Sequence, residues 1–295
     1  MTHIIVLGDL NLDVYVRCPD ALLRGDEERN PVHTAPGGSA GTFARTAAAE
    51  GAKVTFFGAV GRDLAGELLE RSLVEAGVRS RLQWVSVATG TVVVLHRGND
   101  RSIICSRGAN DGLSPEEIDA EVFAEADHLH ISGYAFLSPP QWEAAARAIE
   151  LARDHGTSIS VDPPPANLIE RFGVPRFFHL LARVSWLFPN LAEGSLLTDC
   201  RDPSSIVDTL AARFQGGALT MGSDGALAWQ GRMRHRYKST PIESIESTGA
   251  GDVYAGAFVT AWLARKDLAL ANRRGCEAAR SFLMERSKDF PSSGA

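Results

Sequence analysis

Lysine is scarce in this chain, with Lys53, Lys238, Lys266 and Lys288 as its only occurrences in 295 residues. None follows a glycine in the Gly-x-x-x-x-Gly-Lys pattern, which excludes a Walker-type phosphate loop. Basic charge is not in excess either. Lys and Arg total 30 against 36 Asp and Glu, and the net charge of −6 argues against nonspecific nucleic-acid binding. The four cysteines, Cys18, Cys105, Cys200 and Cys276, are far apart and form no Cys-x-x-Cys pair. That spacing argues against a disulfide framework and a zinc site, and a reducing compartment fits. No apolar run is long enough to span a bilayer, and no charged leader precedes the first apolar strand. These absences predict a cytoplasmic soluble protein without nucleic-acid or membrane partners.

The remaining composition, 44% apolar and 22% charged, is that of an ordinary globular enzyme, and the length accommodates a sizeable core. Short apolar runs alternate with helical patterns. Strands are predicted at Ile4–Leu7, Val54–Phe57, Leu129–Ile131, Ser158–Val161, Val184–Phe188 and Ala218–Met221. Helices are predicted over Gly38–Glu50, Asp63–Ala76 (stopped by Gly77), Pro140–Asp154 and Ser204–Phe214, with two more starting near Ala250 and Asp267. Ser114-Pro115-Glu116-Glu117 reads as a capping box that opens a further helix. Such alternation implies an α/β fold, a mostly parallel central sheet with helices on both faces in a three-layer α/β/α sandwich. Ligands then bind at the carboxyl ends of the strands. Asp20–Pro36 is too polar for the core, and Thr91–Leu95 and Ser102–Cys105 read as a hairpin around Gly98-Asn99. Residues 15–36 and 91–106 are therefore expected to form a small β flap on a single domain spanning 1–295.

Chemistry concentrates in Thr248-Gly249-Ala250-Gly251-Asp252, which feeds the apolar helix Val253–Leu263. Free amides and the helix dipole make such a junction an anion site, and Asp252 is placed to take a proton from a hydroxyl above it. The same residues also suit a plain helix N-cap. Asn190-Leu191-Ala192-Glu193 is likewise either a capping box or a metal and phosphate motif. Thr220-Met221-Gly222-Ser223-Asp224-Gly225 suits a β-turn as well as a nucleotide contact. Asn11 and Asp13 read as an Asx-turn at a strand end or as hydroxyl-binding groups. Gly37 and Gly38 serve either tight helix packing or close approach to a ligand.

Two separated motifs give the chain a family likeness. The first is Gly37-Gly38-Ser39-Ala40-Gly41-Thr42 with the downstream Gly58-Ala59-Val60-Gly61-Arg62-Asp63-Leu64-Ala65-Gly66, and the second is the Thr248–Asp252 loop. Together, from Ile4 to about Leu283, the chain resembles the ribokinase-like, or PfkB, family of carbohydrate kinases. The resemblance implies Asp252 as general base, with Gly249, Ala250 and Gly251 as the anion hole for the transferring phosphate. It implies acceptor contacts at Asn11, Asp13, Gly37, Gly38 and Thr42, and nucleotide contacts at Asn190, Thr220, Gly222 and Gly225. Glu193 would act on Mg²⁺, through water. The implied reaction is ATP-dependent phosphorylation of a primary hydroxyl of a small sugar or sugar acid, of the ribose, fructose or 2-keto-3-deoxygluconate type. A nucleoside acceptor is the alternative, with Phe43, Tyr134 and Phe136 as candidate walls for a base, and a non-catalytic binding protein on the same scaffold is a more distant one. Flap strands of two subunits often pair in such kinases, so a homodimer through the flap is expected.

The chain departs from the family pattern in three places. Thr42 replaces the usual Asn after the double glycine, so a hydroxyl stands in for an amide. Glu246-Ser247 replaces the usual Asp-Thr opening, near which relatives often place a monovalent cation, leaving K⁺ activation open. Arg286–Ala295 is short and polar where relatives often add a strand to the nucleotide wall, so adenine contacts stay unassigned.

Overall fold

The run His-Ile-Ile-Val-Leu at His3–Leu7 (β1) is buried along its whole length, as a parallel strand covered on both faces must be. Its side chains alternate between two cores: Ile5 and Leu7 face one, Ile4 and Val6 the other. The computed structural model describes residues 1–18, 32–97, 100–242 and 247–289. In chain order the strands and helices after β1 are β2 (Asn11–Arg17), β3 (Val32–Gly37), α1 (Ser39–Ala49), β4 (Lys53–Gly61), α2 (Leu64–Glu75), β5 (Arg79–Val85), β6 (Thr91–Arg97), β7 (Asp100–Ser106) and β8 (His128–Ser132). There follow α3 (Gln141–Asp154), β9 (Ser158–Asp162), α4 (Ala166–Phe172), α5 (Val174–Leu180), β10 (Trp186–Leu187), α6 (Leu191–Thr198) and α7 (Pro203–Ala211). The chain closes with β11 (Gly216–Thr220), β12 (Ala226–Gln230), β13 (Met233–Tyr237), α8 (Ala250–Arg265) and α9 (Leu268–Asp289).

The large sheet has the order β13-β12-β11-β10-β9-β8-β1-β4-β5. Every pairing from β5 to β11 is parallel, and β12 and β13 add an antiparallel edge. On one face α3 buries Ala144, Ala145, Ala148 and Ile149 against Ile5, Leu7 and Leu129. On the other, α1 buries Ala40, Phe43, Ala44 and Ala47, at the spacing of one helical stripe, beside Tyr254 and Phe258 of α8. The result is the three-layer α/β/α arrangement.

A second sheet, β3-β2-β6-β7, pairs β2 with β6 in parallel and closes each side with an antiparallel strand. The two segments expected as a flap supply β3, β6, β7 and the end of β2. The sheet begins at Asn11, so Asn11 and Asp13 lie within a strand instead of an Asx-turn. Of the expected flap, residues 19–31 and the Gly98-Asn99 turn lie outside the described residues. Because β2 follows β1 after only Gly8-Asp9-Leu10, this sheet stands over the carboxyl ends of the large one.

The helix expected from Ser114 is corrected. Pro115–Glu117 forms a single 3₁₀ turn with no side-chain cap, and a second 3₁₀ turn, Ala120–Glu125, restarts behind Asp119. The Ser114 amide is taken by Gln83 Oε1 at 2.9 Å, and Leu113, Ile118, Val122 and Phe123 are buried in the core around α3. That burial outweighs a local cap worth about 1 kcal/mol. Among the described residues no helix is long and apolar enough to cross a membrane.

Candidate active site

The carboxyl ends of β1, β8, β9, β10 and β11, the amino ends of α1 and α8, and the inner face of the small sheet enclose one pocket. Gly249 is the N-cap of α8 with φ 87, a left-handed turn that a side chain would strain. This turn closes Ala250 N–H onto Ser247 O at 3.2 Å. The amides of Gly251 and Asp252 follow in the first helical turn, where no carbonyl four residues back is available to them. Asp252 lines the pocket, and the side chains of Ser39 and Asp162 hydrogen-bond its carboxylate. Burial, opposed by the Ser39 bond, raises Asp252 to about 6. Burial and the charge of Asp252 hold Asp162 well above the usual carboxylate range, so Asp162 carries the proton of the pair and donates it to Asp252.

On the acceptor side Asp9 organises the entry. Its Oδ1 accepts from Ser132 Oγ at 2.7 Å, and its Oδ2 accepts from Ser39 N at 3.0 Å and from Asn11 Nδ2 at 3.3 Å. Asn11 Oδ1 in turn accepts from Asn110 Nδ2 at 2.7 Å. Asp13 is buried, and its Oδ2 accepts from the Tyr15 hydroxyl at 2.9 Å. Its Oδ1 is buried without a hydrogen-bond partner. Burial is the main cause that lifts Asp13 to about 6, against the Tyr15 bond and the positive charge of Arg286 and Arg45. A Cβ on Gly37 would stand 2.2 Å from the Asp13 carboxylate, so only glycine lets β3 pass it. Gly38 caps α1, and Thr42 lines the pocket while its Oγ1 accepts from Arg45 Nη2 at 3.2 Å.

Asn190 and Glu193 do form the reciprocal capping box of α6. Glu193 Oε2 accepts from Asn190 N at 2.8 Å and Oε1 from Asn190 Nδ2 at 2.6 Å. Both residues nonetheless line the pocket, and burial lifts Glu193 to about 8, the Asn190 bonds opposing and the charge of Asp252 adding to it. Raised above its ordinary 4.5, this group favours the folded chain at acid pH, an advantage lost as pH rises through about 8. A cation nearby would offset that loss. Among the described residues no three His, Cys, Asp or Glu side chains form an all-protein metal site. The donors present fit a hydrated Mg²⁺, which keeps several waters and needs only one or two carboxylates.

Of the expected site residues, the pocket gathers Asn11, Asp13, Gly38, Thr42, Asn190, Glu193, Thr220, Gly249, Gly251 and Asp252. Gly37 acts from behind Asp13, and Ala250 spends its amide on the turn. Gly222 and Gly225 lie off the pocket wall, in the β11–β12 hairpin, where the expected β-turn is formed. Phe43 is sealed in the core, stacked on His130 at 3.6 Å, and Phe136 packs on Phe177, so Tyr134 alone of the three aromatics reaches the pocket. Glu246 lies outside the described residues.

The structure adds residues that the sequence did not single out. Asp9 and Asp162 end parallel strands, a position that favours ligand contact and was legible in principle. Arg101, on β7, donates through Nη1 to Ser247 Oγ at 3.1 Å and Thr248 Oγ1 at 3.2 Å, tying the small sheet to the glycine loop. Arg286, expected in a bare polar tail, sits on α9 and donates to the Tyr15 hydroxyl, its guanidinium 4.7 Å from the Tyr15 ring and 4.9 Å from that of Phe282.

A model of the pfkB family of carbohydrate kinases matches residues 1–291. The chain belongs to that family. It is 28% identical over 288 residues to an ATP-dependent ribose-1-phosphate kinase of Halopiger xanaduensis, covering 94% of this chain and 91% of the relative. It is 27% identical over 287 residues to a ribokinase of Haemophilus influenzae, covering 93% and 90%. Among solved structures, adenosine kinase from Sinorhizobium meliloti superposes with a TM-score of 0.87 at 24% identity over 96% of this chain and 94% of that one. The ribokinase-like fold and a kinase activity are thereby shared with these proteins.

Proposed function

We propose that this pfkB-family kinase transfers the γ-phosphoryl group of ATP to a primary hydroxyl of a small sugar or sugar acid, with Asp252 as the general base. The observation that carries the reading is the joint position of Asp252 and Asp13 in one pocket, with Gly249 and Gly251 at the start of α8. Asp13 Oδ1, buried without a partner, awaits a hydroxyl donor. As the acceptor oxygen bonds to phosphorus and the bond to the ADP oxygen breaks, the hydroxyl proton passes to Asp252. The amides at the start of α8 hold the phosphoryl oxygens. When bound, Mg²⁺ neutralises phosphate charge during this transfer. Asn190, Glu193 and Thr220 face the nucleotide end. Names of relatives, ribokinase and ribose-1-phosphate kinase among them, support a sugar acceptor. Burial of Phe43 and Phe136 removes two of the three candidate walls for a nucleoside base.

Purified protein incubated with ATP, Mg²⁺ and a pooled sugar panel is expected to release ADP, and to release none when Mg²⁺ is chelated. Glu193→Gln keeps the α6 cap in shape and is expected to raise the Mg²⁺ concentration needed for half-activity. ADP release that persists in chelator, or that no sugar stimulates, would overturn the proposal.

The reading extends to a homodimer through the small sheet. β3 and β7 are its edge strands, and Val32 and Ile104 on them are exposed. A light-scattering mass of one chain at every working concentration would rule this out.

A further inference from the structure

Strand β7 crosses the pocket with alternate side chains turned inward. Arg101, Ile103 and Cys105 line the cavity, and Arg107 lines it just past the strand end. Four residues of extended chain put the Cα atoms of Arg101 and Cys105 about 13 Å apart. The Arg101 end meets the glycine loop. At the far end Arg107 is clamped. Its Nε donates to Asp111 Oδ1 at 2.8 Å and its Nη2 to Gln141 Oε1. Asp111 Oδ1 is itself fixed by Ser138 Oγ at 2.6 Å, and Gln141 is fully buried. The guanidinium lies 5.7 Å over the Tyr134 ring. Among the described residues Nη1 is the donor nitrogen spent on none of these partners.

The other pocket arginines are committed elsewhere. Arg101 serves the glycine loop, and Arg286 is held by Tyr15 beside the Asp13 carboxylate, which repels a second anion. Asp9 and Asp252 supply negative charge at the transfer end of the cavity. The transfer end therefore disfavours an anionic group on the acceptor, whereas Arg107, past the far end of β7, keeps Nη1 for a further anion beside its ion pair with Asp111.

Building on the kinase reading above, we propose that Arg107 binds an anionic group, phosphate or carboxylate, on the acceptor away from its reacting hydroxyl, so that the substrates are sugar phosphates or sugar acids in preference to neutral sugars and nucleosides. A charge-assisted bond from an oriented guanidinium supplies affinity and direction together, since the anion can dock only with the hydroxyl end turned toward Asp252. A neutral acceptor forfeits that bond.

Calorimetry on the intact protein, saturated with a non-hydrolysable ATP analogue, compares ribose 1-phosphate, 2-keto-3-deoxygluconate, ribose and adenosine. At least one anion is expected to bind roughly 10- to 100-fold more tightly than ribose, the range for a hydrogen bond to a charged group. Which anion wins tells phosphate from carboxylate. Arg107→Gln is expected to erase the preference while leaving ribose and the ATP analogue unchanged. The proposal is overturned if neither anion outbinds ribose and adenosine, or if Arg107→Gln weakens charged and neutral acceptors alike. The wild-type comparison stands even if the variant fails to fold. Binding is read without turnover, so selective anion binding with no ADP release would sink the kinase reading and leave this one standing.

Discussion

Asp252→Asn is expected to lower kcat by roughly 10²–10⁴, the range for loss of a general base, with binding of an ATP analogue retained. Asparagine keeps the shape of the side chain and can still accept from Ser39, so the first turn of α8 is preserved while the proton acceptor is removed. The parent enzyme should also lose activity as pH falls below about 6, where Asp252 becomes protonated. Stability moves the other way. A carboxyl raised above its unfolded value of 3.8 helps the folded chain only while protonated, and that help is gone once pH has passed about 6. At pH 8 the neutral amide escapes the cost of a buried charge, so the variant should melt no lower than the parent. Near-normal turnover would remove Asp252 from catalysis, and a much lower melting point with partial activity would make it a structural cap.

Asp252 was legible in the sequence because its setting is local: a glycine turn, a helix start and a carboxylate occupy the five consecutive residues Thr248–Asp252. Gly37 and Gly38 were legible for the same reason. Asp162 was legible only as a carboxylate at a strand end, and its pairing with Asp252 emerges only when α8 brings the two together. Arg286 lies 271 residues from Tyr15, and only the return of α9 toward the small sheet joins them. The three aromatics Phe43, Tyr134 and Phe136 look alike as letters. The stripe Ala40, Phe43, Ala44, Ala47 already turned Phe43 toward the sheet, whereas nothing in the sequence separated Tyr134 from Phe136. The Ser114 capping box failed for the opposite reason: a sound local rule was overridden by burial of Ile118 and Phe123. Fold class rested on many repeats of one period and survived such losses, whereas acceptor contacts each depended on a few side chains converging from distant strands.

Asp13→Ala should cost the acceptor about 1.5–3 kcal/mol, as for a hydrogen bond to a charged group, while leaving the ATP analogue near its normal affinity. The structural basis is the buried, unpartnered Oδ1, which a substrate hydroxyl would satisfy. Its neighbours make the experiment clean. The Tyr15 hydroxyl keeps the Arg286 bond when the carboxylate is gone, and the alanine side chain relieves the crowding against Gly37. Fold damage at the site is therefore small, and the loss should fall on the acceptor alone. Acceptor affinity of the parent should also weaken as pH drops through about 6, because a protonated Asp13 loses an accepting oxygen, and that pH dependence should be absent in the variant. Calorimetry with acceptor and nucleotide titrated separately tests both parts. Equal loss of the two ligands would mean that Asp13 holds β2 and β3 together and has no place in recognition, and unchanged acceptor affinity would move the sugar to another part of the pocket.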